Sequence, residues 1–433
     1  MRYIADLHVH SRYSRACSKN LTLPNMAAWA RAKGIDVLAT ADFTHPEWLK
    51  DIETQLEPAE DGLWRVRPDF DCQGGGKSYV PAPQAAGGRD ARFILSTELC
   101  CIYKKNDRTR RLHLVVLAPN VAAVKKIVRR LENDGRNLKS DGRPILGMDA
   151  KEIVKMALDA DADCEVIPAH AWTPWFSVFG SQSGFDSLEE CFDELTPHIH
   201  AVETGLSSDP PMNWRLSGLD SLMLVSNSDA HGLRNLAREA NVFELNSLGY
   251  GPLLSPIREH DTERFPYTIE FFPEEGKYHA DGHRNCGFSC DPAKTARLGG
   301  KCPRCGKPLT RGVLGRVHEL ADRESAGRPE GAQDFRHIVP LEEIIADATG
   351  RTKAAKSVLT AYLTMVERLG PEFDILLDVP IADIEAVSSP KIAEGIGRVR
   401  EGNVRAKPGY DGEFGAVRVF EDSETETQTA LEL

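Results

Sequence analysis

The chain has 433 residues, with 53 Lys+Arg against 65 Asp+Glu and a formal net charge of −12. Hydrophobic residues at 41% and charged residues at 27% are ordinary for a globular protein and exclude wholesale disorder. The length predicts two or three domains, and the acidic balance argues at first sight against a phosphate-backbone partner.

The opening residues, MRYIADLHVH, put charge and His where a signal peptide needs an apolar run. The longest apolar stretch, 112–119, falls far short of the roughly 20 residues that span a bilayer. A cytoplasmic protein with no membrane partner is therefore expected. Short apolar runs at 3–9, 36–40, 93–96, 112–117, 165–169, 200–203 and 222–226 read as buried parallel strands. Helical patterns at 25–33, 121–133 and 149–160 lie between them, so an α/β fold is expected, either a barrel or a doubly wound sheet. A Gly- and Pro-rich insertion at 57–90 interrupts the pattern as a surface loop or hairpin.

Together, residues 1–250 form the first predicted domain. A Pro-rich linker is expected at 251–266 and a turn-rich, Cys-bearing domain at 267–330. A helical C-terminal domain follows at 340–420, with helices at 341–349, 351–370 and 381–401 and a strand at 415–420. Residues 421–433 carry five acids and no base, and disorder is expected there.

His and acids fall at the ends of the predicted strands. His8 and His10 are two apart, so both project the same way. Asp42 and His45 follow the second strand, Glu98 the third, and His113 lies in the fourth; His170 ends the fifth, and Asp229 and His231 close the last. Alone, an H-x-H pair is more often packing, His113 a core histidine, and Asp42 or Glu98 a helix cap. Five independent strand ends that each supply a ligand type are hard to explain that way, because buried unpaired charge is costly and a cation compensates it. Imidazole and carboxylate donors suit Zn²⁺, Mn²⁺ or Fe²⁺, with Mg²⁺ a further candidate, and their number exceeds what one ion needs. Two or three divalent ions are expected. Such centres clamp a phosphate oxygen and lower the pKa of a bound water, so phosphoester hydrolysis leads and amide hydrolysis competes.

The motif order DLHVHSRYS (6–14), TADFTH (40–45), LSTEL (95–99), His113, PAH (168–170) and SDAH (228–231) resembles the PHP superfamily of polymerase and histidinol phosphatase domains. That resemblance implies a distorted (β/α)7 barrel with up to three metals. One departure is that Phe43 and Thr44 separate Asp42 from His45, where the superfamily usually has Thr-Asp-His. Segments 170–192, 203–220, the Cys cluster and KPGYDGEFG (407–415) are similar to the endonuclease Q family, whose members nick DNA 5′ to deaminated bases. The resemblance implies double-stranded DNA carrying uracil, hypoxanthine or xanthine as substrate, with abasic sites as a further class. Its ligand set maps onto His8, His10, His45, Glu98, His113, His170, Asp229 and His231, with Asp42 as a ligand or a group behind one. Glu98 is the candidate bridge between ions, and Asp229 with His231 completes the catalytic set, Asp229 accepting a proton from the attacking water. The products would be a 3′-hydroxyl and a 5′-phosphate.

Of 10 Cys, four occur as Cys286-x3-Cys290-x11-Cys302-x2-Cys305, the spacing of a closed, structural Zn²⁺ site rather than a disulfide framework. His279 and His283 precede it and could replace a Cys, but four thiolates are the simpler set. Residues 276–328 hold 11 Lys+Arg and 5 Asp+Glu, so DNA contact is expected here despite the global charge. After His170 come Trp172, Trp175, Phe176, Phe179, Gly180 and Ser181. Aromatic clusters are more often core, but this one follows a predicted ligand, so it is read as the pocket for a flipped base. Backbone donors near 180–184 would pair with the carbonyl that deamination creates. The rival readings are a small-molecule phosphoesterase of the histidinol phosphatase type and an inactive DNA-binding module. A sliding clamp stays open as a partner, although no clear clamp-binding box is visible.

Overall fold

The computed structural model describes residues 1–70 and 85–420; part of the 57–90 insertion and the acidic segment 421–433 lie outside the described residues. The fold is mixed α/β. Strands Arg2–Asp6, Val37–Ala39 and Arg92–Lys105 run parallel and adjacent, with Ala5 opposite Val37 and Leu38 opposite Phe93. The helix between the first two, Leu23–Lys33, starts with Pro at its first turn and ends on Gly34 in the left-handed conformation.

The fourth predicted strand differs from expectation. Arg92–Lys105 and Arg108–Ala118 form one long antiparallel hairpin, turned by Asn106 and Asp107 at φ 53° and 57°. Two left-handed residues make the tight turn whose twist matches the strands it joins. Arg108–Ala118 then pairs antiparallel with Glu165–Pro168, while Ala201–Glu203 and Met223–Val225 form a separate parallel pair. All seven expected strands are present, but among the described residues their ladders do not run continuously around a closed barrel.

On the other side of Arg2–Asp6 the sheet continues through Ala240–Glu244, Tyr267–Glu270 and Asp334–His337. The expected linker at 251–266 is instead largely a helix, Tyr250–Arg258, whose Leu253, Leu254 and Ile257 are buried. Tyr267 pairs with Asp334, so the Cys-bearing segment leaves the main sheet from one strand and returns on its neighbour. The start of the insertion is a hairpin, Leu56–Pro58 with Leu63–Val66, that extends the sheet edge.

Five helices close the fold: Leu341–Ala348, Lys356–Leu369, Glu372–Leu377, Ile381–Val387 and Pro390–Arg400. The single helix expected at 381–401 is two, because Pro390 opens a new helix capped by the Ser389 hydroxyl, which accepts from the Ile392 amide. This layer packs on the first helix: Trp29 stacks on Tyr362 at 6.4 Å, and buried Lys33 lies 2.6 Å from Glu372. No helix among the described residues is long and apolar enough to cross a membrane.

Candidate active site

The loops after Arg2–Asp6, Val37–Ala39, Glu165–Pro168 and Met223–Val225, with the middle of the long hairpin, deliver His8, His10, Asp42, Glu98, His113, His170, Asp229 and His231 to one buried centre. Among the described residues three overlapping donor groups form there: His8, His10 and Glu98; His10, Asp229 and His231; Glu98, His113 and His170. Glu98 joins the first to the third. Its Oε2 lies 3.2 Å from His10 Nε2 and 3.6 Å from His8 Nε2, while its Oε1 lies 2.7 Å from His113 Nδ1 and 3.2 Å from His170 Nε2. His10 joins the first to the second, with Asp229 Oδ1 3.0 Å from its Nε2 and 3.5 Å from His231 Nδ1.

The donors fit metal ions. His8 Nε2, His10 Nε2 and Asp229 Oδ1 are buried without a hydrogen-bond partner. Such orphaned atoms are costly unless a cation meets them. The far nitrogen of His8 is held instead: Nδ1 lies 3.0 Å from Glu203 Oε1, the carboxylate that orients a ligating imidazole and fixes its tautomer. Glu203 also accepts from the Asn227 side chain at 2.8 Å and the His170 amide at 2.6 Å.

Electrostatics agree. Burial would push the Glu98 carboxyl up, but His113, Arg143 and His8 hold it well below the usual carboxylate range. Burial takes His113 down to about 4 and lowers His231, which keeps both imidazoles in the neutral, ligating form. His8 and His10 go the other way despite their burial, raised by Glu203 and Glu98 and by Asp229 and Asp42. This excess of carboxylate is a place for positive charge. Asp42, His170 and Asp229 adopt φ of 44°, 31° and 44°, strained conformations that the surrounding packing imposes. Gly205 has no side chain where a Cβ would lie 2.6 Å from that of His170.

Two predicted ligands stand apart. Asp42 Oδ2 accepts from the Ser11 amide at 2.9 Å and hydroxyl at 2.6 Å, and from the Ser14 hydroxyl at 2.8 Å. Oδ1 lies 3.5 Å from His10 Nδ1, so Asp42 stands behind a ligand rather than among the donor groups. His45 stacks on Tyr13 at 4.2 Å and joins none of the groups. The two residues inserted between Asp42 and His45 carry the imidazole away.

The reading of the aromatic segment needs correction. Trp172 and Phe179 are buried, packed on each other at 4.9 Å, and Trp172 Nε1 donates to Asn213. They are core. Phe176 lies 4.9 Å from His113, and Trp175 is exposed. The amides of Gly180, Gln182 and Gly184 already donate to Ser177, Pro174 and Gly180 carbonyls, so they are spent within the loop. Ser181 keeps a buried hydroxyl without a partner.

The Cys-rich segment also differs. His283, Cys286, Cys302 and Cys305 converge, and Cys290 does not join them. Strand Asp281–His283 pairs with Phe288–Cys290 so that His283 faces Phe288 and Cys290 faces Asp281. Two residues along a strand is roughly 6–7 Å, which carries Cys290 away to Thr295 Oγ1 at 3.3 Å. One imidazole and three thiolates still fit a closed, structural metal site. Despite burial, the Arg304 and Cys305 amides bring Cys302 down to about 7, as a knuckle with Gly306 at φ 71° permits.

Sequence reasoning overlooked Arg143, Glu203, Ser11 and Ser14. Glu203 ends a predicted strand exactly as the ligands do, and that position was the available signal. Arg143, whose Nη1 lies 3.0 Å from Glu98 Oε2, comes from a turn with no pattern.

Three overlapping donor groups of this kind define the class of metal-dependent enzymes. Residues 340–403 match the family model for the MJ0043 C-terminal domain. MJ0043 of Methanocaldococcus jannaschii is 31% identical over 257 residues, 57% of this chain but only 31% of that protein's length. YqxK of Bacillus subtilis is 28% identical over 96% of this chain and 98% of its own. The solved lesion-specific endonuclease PfuEndoQ from Pyrococcus furiosus superposes with a TM-score of 0.83 at 29% identity, covering 99% of this chain and 98% of that one. A structure of endonuclease Q with a 27-mer duplex carrying an abasic lesion at the active site gives 0.82 at 29% identity over 99% of both chains. Over nearly its whole length the chain is thus similar to solved endonuclease Q structures.

Proposed function

We propose that this chain is a metal-dependent DNA repair endonuclease that cuts the phosphodiester 5′ to uracil, hypoxanthine or xanthine, and at abasic sites. The observation that carries the reading is Glu98, whose two oxygens face two separate histidine pairs. The whole-length likeness to a lesion-specific endonuclease, solved in complex with lesion-bearing duplex, supports DNA as the substrate.

Ions held by the three donor groups, Zn²⁺, Mn²⁺ or Mg²⁺, would supply a polarised phosphate and an acidified water. The chain's own residues do the rest. Glu98 holds neighbouring groups in register, Glu203 fixes the His8 ring from behind, and the Ser14 hydroxyl, itself held by Asp42, meets His10 Nδ1 at 3.2 Å. Asp229 is assigned as the proton acceptor by its place, its Oδ1 3.0 Å from His10 Nε2 and 3.5 Å from His231 Nδ1 in the second donor group. Arg143 offers a guanidinium at the rim, with its side chain 23% exposed.

One incubation tests the reading: labelled duplexes with uracil, hypoxanthine, an abasic site or no lesion, in Mg²⁺ or Mn²⁺. Lesion-dependent nicks ending in 3′-hydroxyl and 5′-phosphate are expected. Hydrolysis of phosphomonoesters without nicking would favour the small-molecule phosphoesterase. Full nicking by Asp229→Ala would overturn the assignment of the base.

A further inference from the structure

The loop between His170 and helix Leu188–Phe192 is doubled on itself: the Phe179 amide donates to the Ala171 carbonyl at 2.9 Å, and the Phe185 amide to the Val178 carbonyl at 2.6 Å. It holds both imidazoles of the third donor group. His170 begins it, the Phe176 carbonyl accepts from the His113 amide at 3.1 Å, and the Phe176 ring lies 4.9 Å from the His113 ring. Phe176 keeps φ at 64°, a left-handed conformation that a bulky residue holds only where its surroundings impose it. One side of the loop is tied to strand Arg108–Ala118, through the Arg111 amide with the Ser183 carbonyl and through Arg110 with the Gly184 carbonyl.

The other side is held from the Cys-bearing segment, by Arg316 of helix Val313–Leu320. Arg316 is 8% exposed. Its Nε donates to the Phe179 carbonyl and its Nη2 to the Phe185 carbonyl, each at 3.0 Å, so one guanidinium joins both limbs of the loop. Asp186 and Glu319 balance its charge. Apolar side chains would dock two surfaces as well as a buried ion pair does. The planar fork of an arginine adds direction, because it serves two carbonyls at once in a fixed geometry.

The helix is itself firmly placed. The Gly312 amide donates to Asp281 Oδ1 and the Val313 amide to the Tyr278 carbonyl, both at 2.7 Å. Asp281 opens the strand that ends at His283, one of the four residues that converge in the knuckle. Tyr278 also meets Trp175 of the loop at 5.3 Å, a second contact between the same two parts.

We propose that Arg316 is a positioning residue for the Glu98, His113 and His170 group: it fixes loop 171–186 to the Cys-bearing segment, and the loop sets the two imidazoles. The proposal rests on the metal-dependent reading above. It goes beyond that reading because a residue outside every donor group sets the affinity of one of them.

The test compares full-length wild type, Arg316→Met and Arg316→Lys, with Arg323→Met as a control. Arg323 also ties the Cys-bearing segment down, through the Trp214 carbonyl at 2.9 Å and Asp220 at 2.7 Å, but on a stretch that carries no donor. Each protein is dialysed free of weakly held ions, its zinc content is recorded, and it is titrated with Mn²⁺ read by electron paramagnetic resonance. Nicking of a uracil-containing duplex is followed at low and at saturating Mn²⁺. Arg316→Met is expected to bind one Mn²⁺ per chain roughly 10- to 100-fold more weakly, the usual worth of a group that orients a ligand, and to recover nicking at saturating Mn²⁺. Arg316→Lys, a point charge that cannot serve both carbonyls, should fall between, and Arg323→Met should keep the wild-type affinity. Wild-type Mn²⁺ affinity in Arg316→Met or, where that variant does not fold, in Arg316→Lys, would overturn the positioning role. An equal loss in Arg323→Met would overturn it too, by making the effect one of docking in general. Weaker Mn²⁺ binding by Arg316→Met beside a wild type that nicks no lesion would sink the endonuclease reading and leave the positioning role standing. Lesion-dependent nicking by wild type, with Mn²⁺ affinity unchanged in Arg316→Met, would do the reverse.

Discussion

The guanidinium of Arg143 lies 3.0 Å from the Glu98 oxygen that also faces His8 and His10. A cation there does not help metal binding, since it competes for the same carboxylate. It does suit a phosphate arriving from solvent. Arg143→Ala should therefore retain its ions by elemental analysis yet lose activity by roughly 10²-fold, the usual worth of one transition-state donor. Loss of ions in parallel with activity would make Arg143 structural instead.

Glu98 touches two donor groups, whereas His231 touches one. Glu98→Gln should thus lose more than one ion per chain and nearly all nicking, and His231→Ala should lose one. Equal stoichiometry in the two variants would contradict the bridging role.

The group of His283, Cys286, Cys302 and Cys305 differs from a four-cysteine set in a way zinc content can test. His283→Ala and Cys302→Ser should lose zinc and melt at lower temperature, while Cys290→Ser should keep its zinc. Zinc loss from Cys290→Ser would restore the four-thiolate site.

Glu275 gives a pH signature. Burial, then the neighbouring Glu343 carboxylate, pushes its carboxyl up from 4.5 to about 8. A carboxyl raised in the folded state is ionised first in the unfolded chain, so stability falls as pH rises from about 4.5 to about 8 and stays lower above. Melting curves across that window should slope less for Glu275→Gln than for wild type.

Glu203 acts through His8, His170 and Asn227. Removing such an orienting carboxylate typically costs roughly 10- to 100-fold in metal affinity or activity. Glu203→Gln should fall in that range, with restoration by added metal. A purely structural role would lower the melting temperature without any metal rescue.

What the amino-acid order alone determined was the chemistry. Histidines and acids at strand ends, and cysteines at knuckle spacing, announce metals because strand periodicity and ligand preference are local rules. The alternation of short apolar runs with helical patterns likewise disclosed a mixed α/β fold. Tertiary structure decided which candidates meet. His45 and Asp42 look alike as neighbours in TADFTH, but a left-handed backbone at Asp42 turns its carboxylate onto Ser11 and Ser14 and leaves His45 on Tyr13. His283 displaces Cys290 because strand register, invisible in spacing, sets which side chain faces the knuckle. Trp172 and Phe179 went to the core because only the folded chain brings Asn213 to the indole. Glu203 and Arg143, far apart in the chain, reach the centre by long-range packing. Net charge shows the same division: −12 sums the whole chain, buried carboxylates included, while the basic stretch 276–328 is where a phosphate backbone would lie.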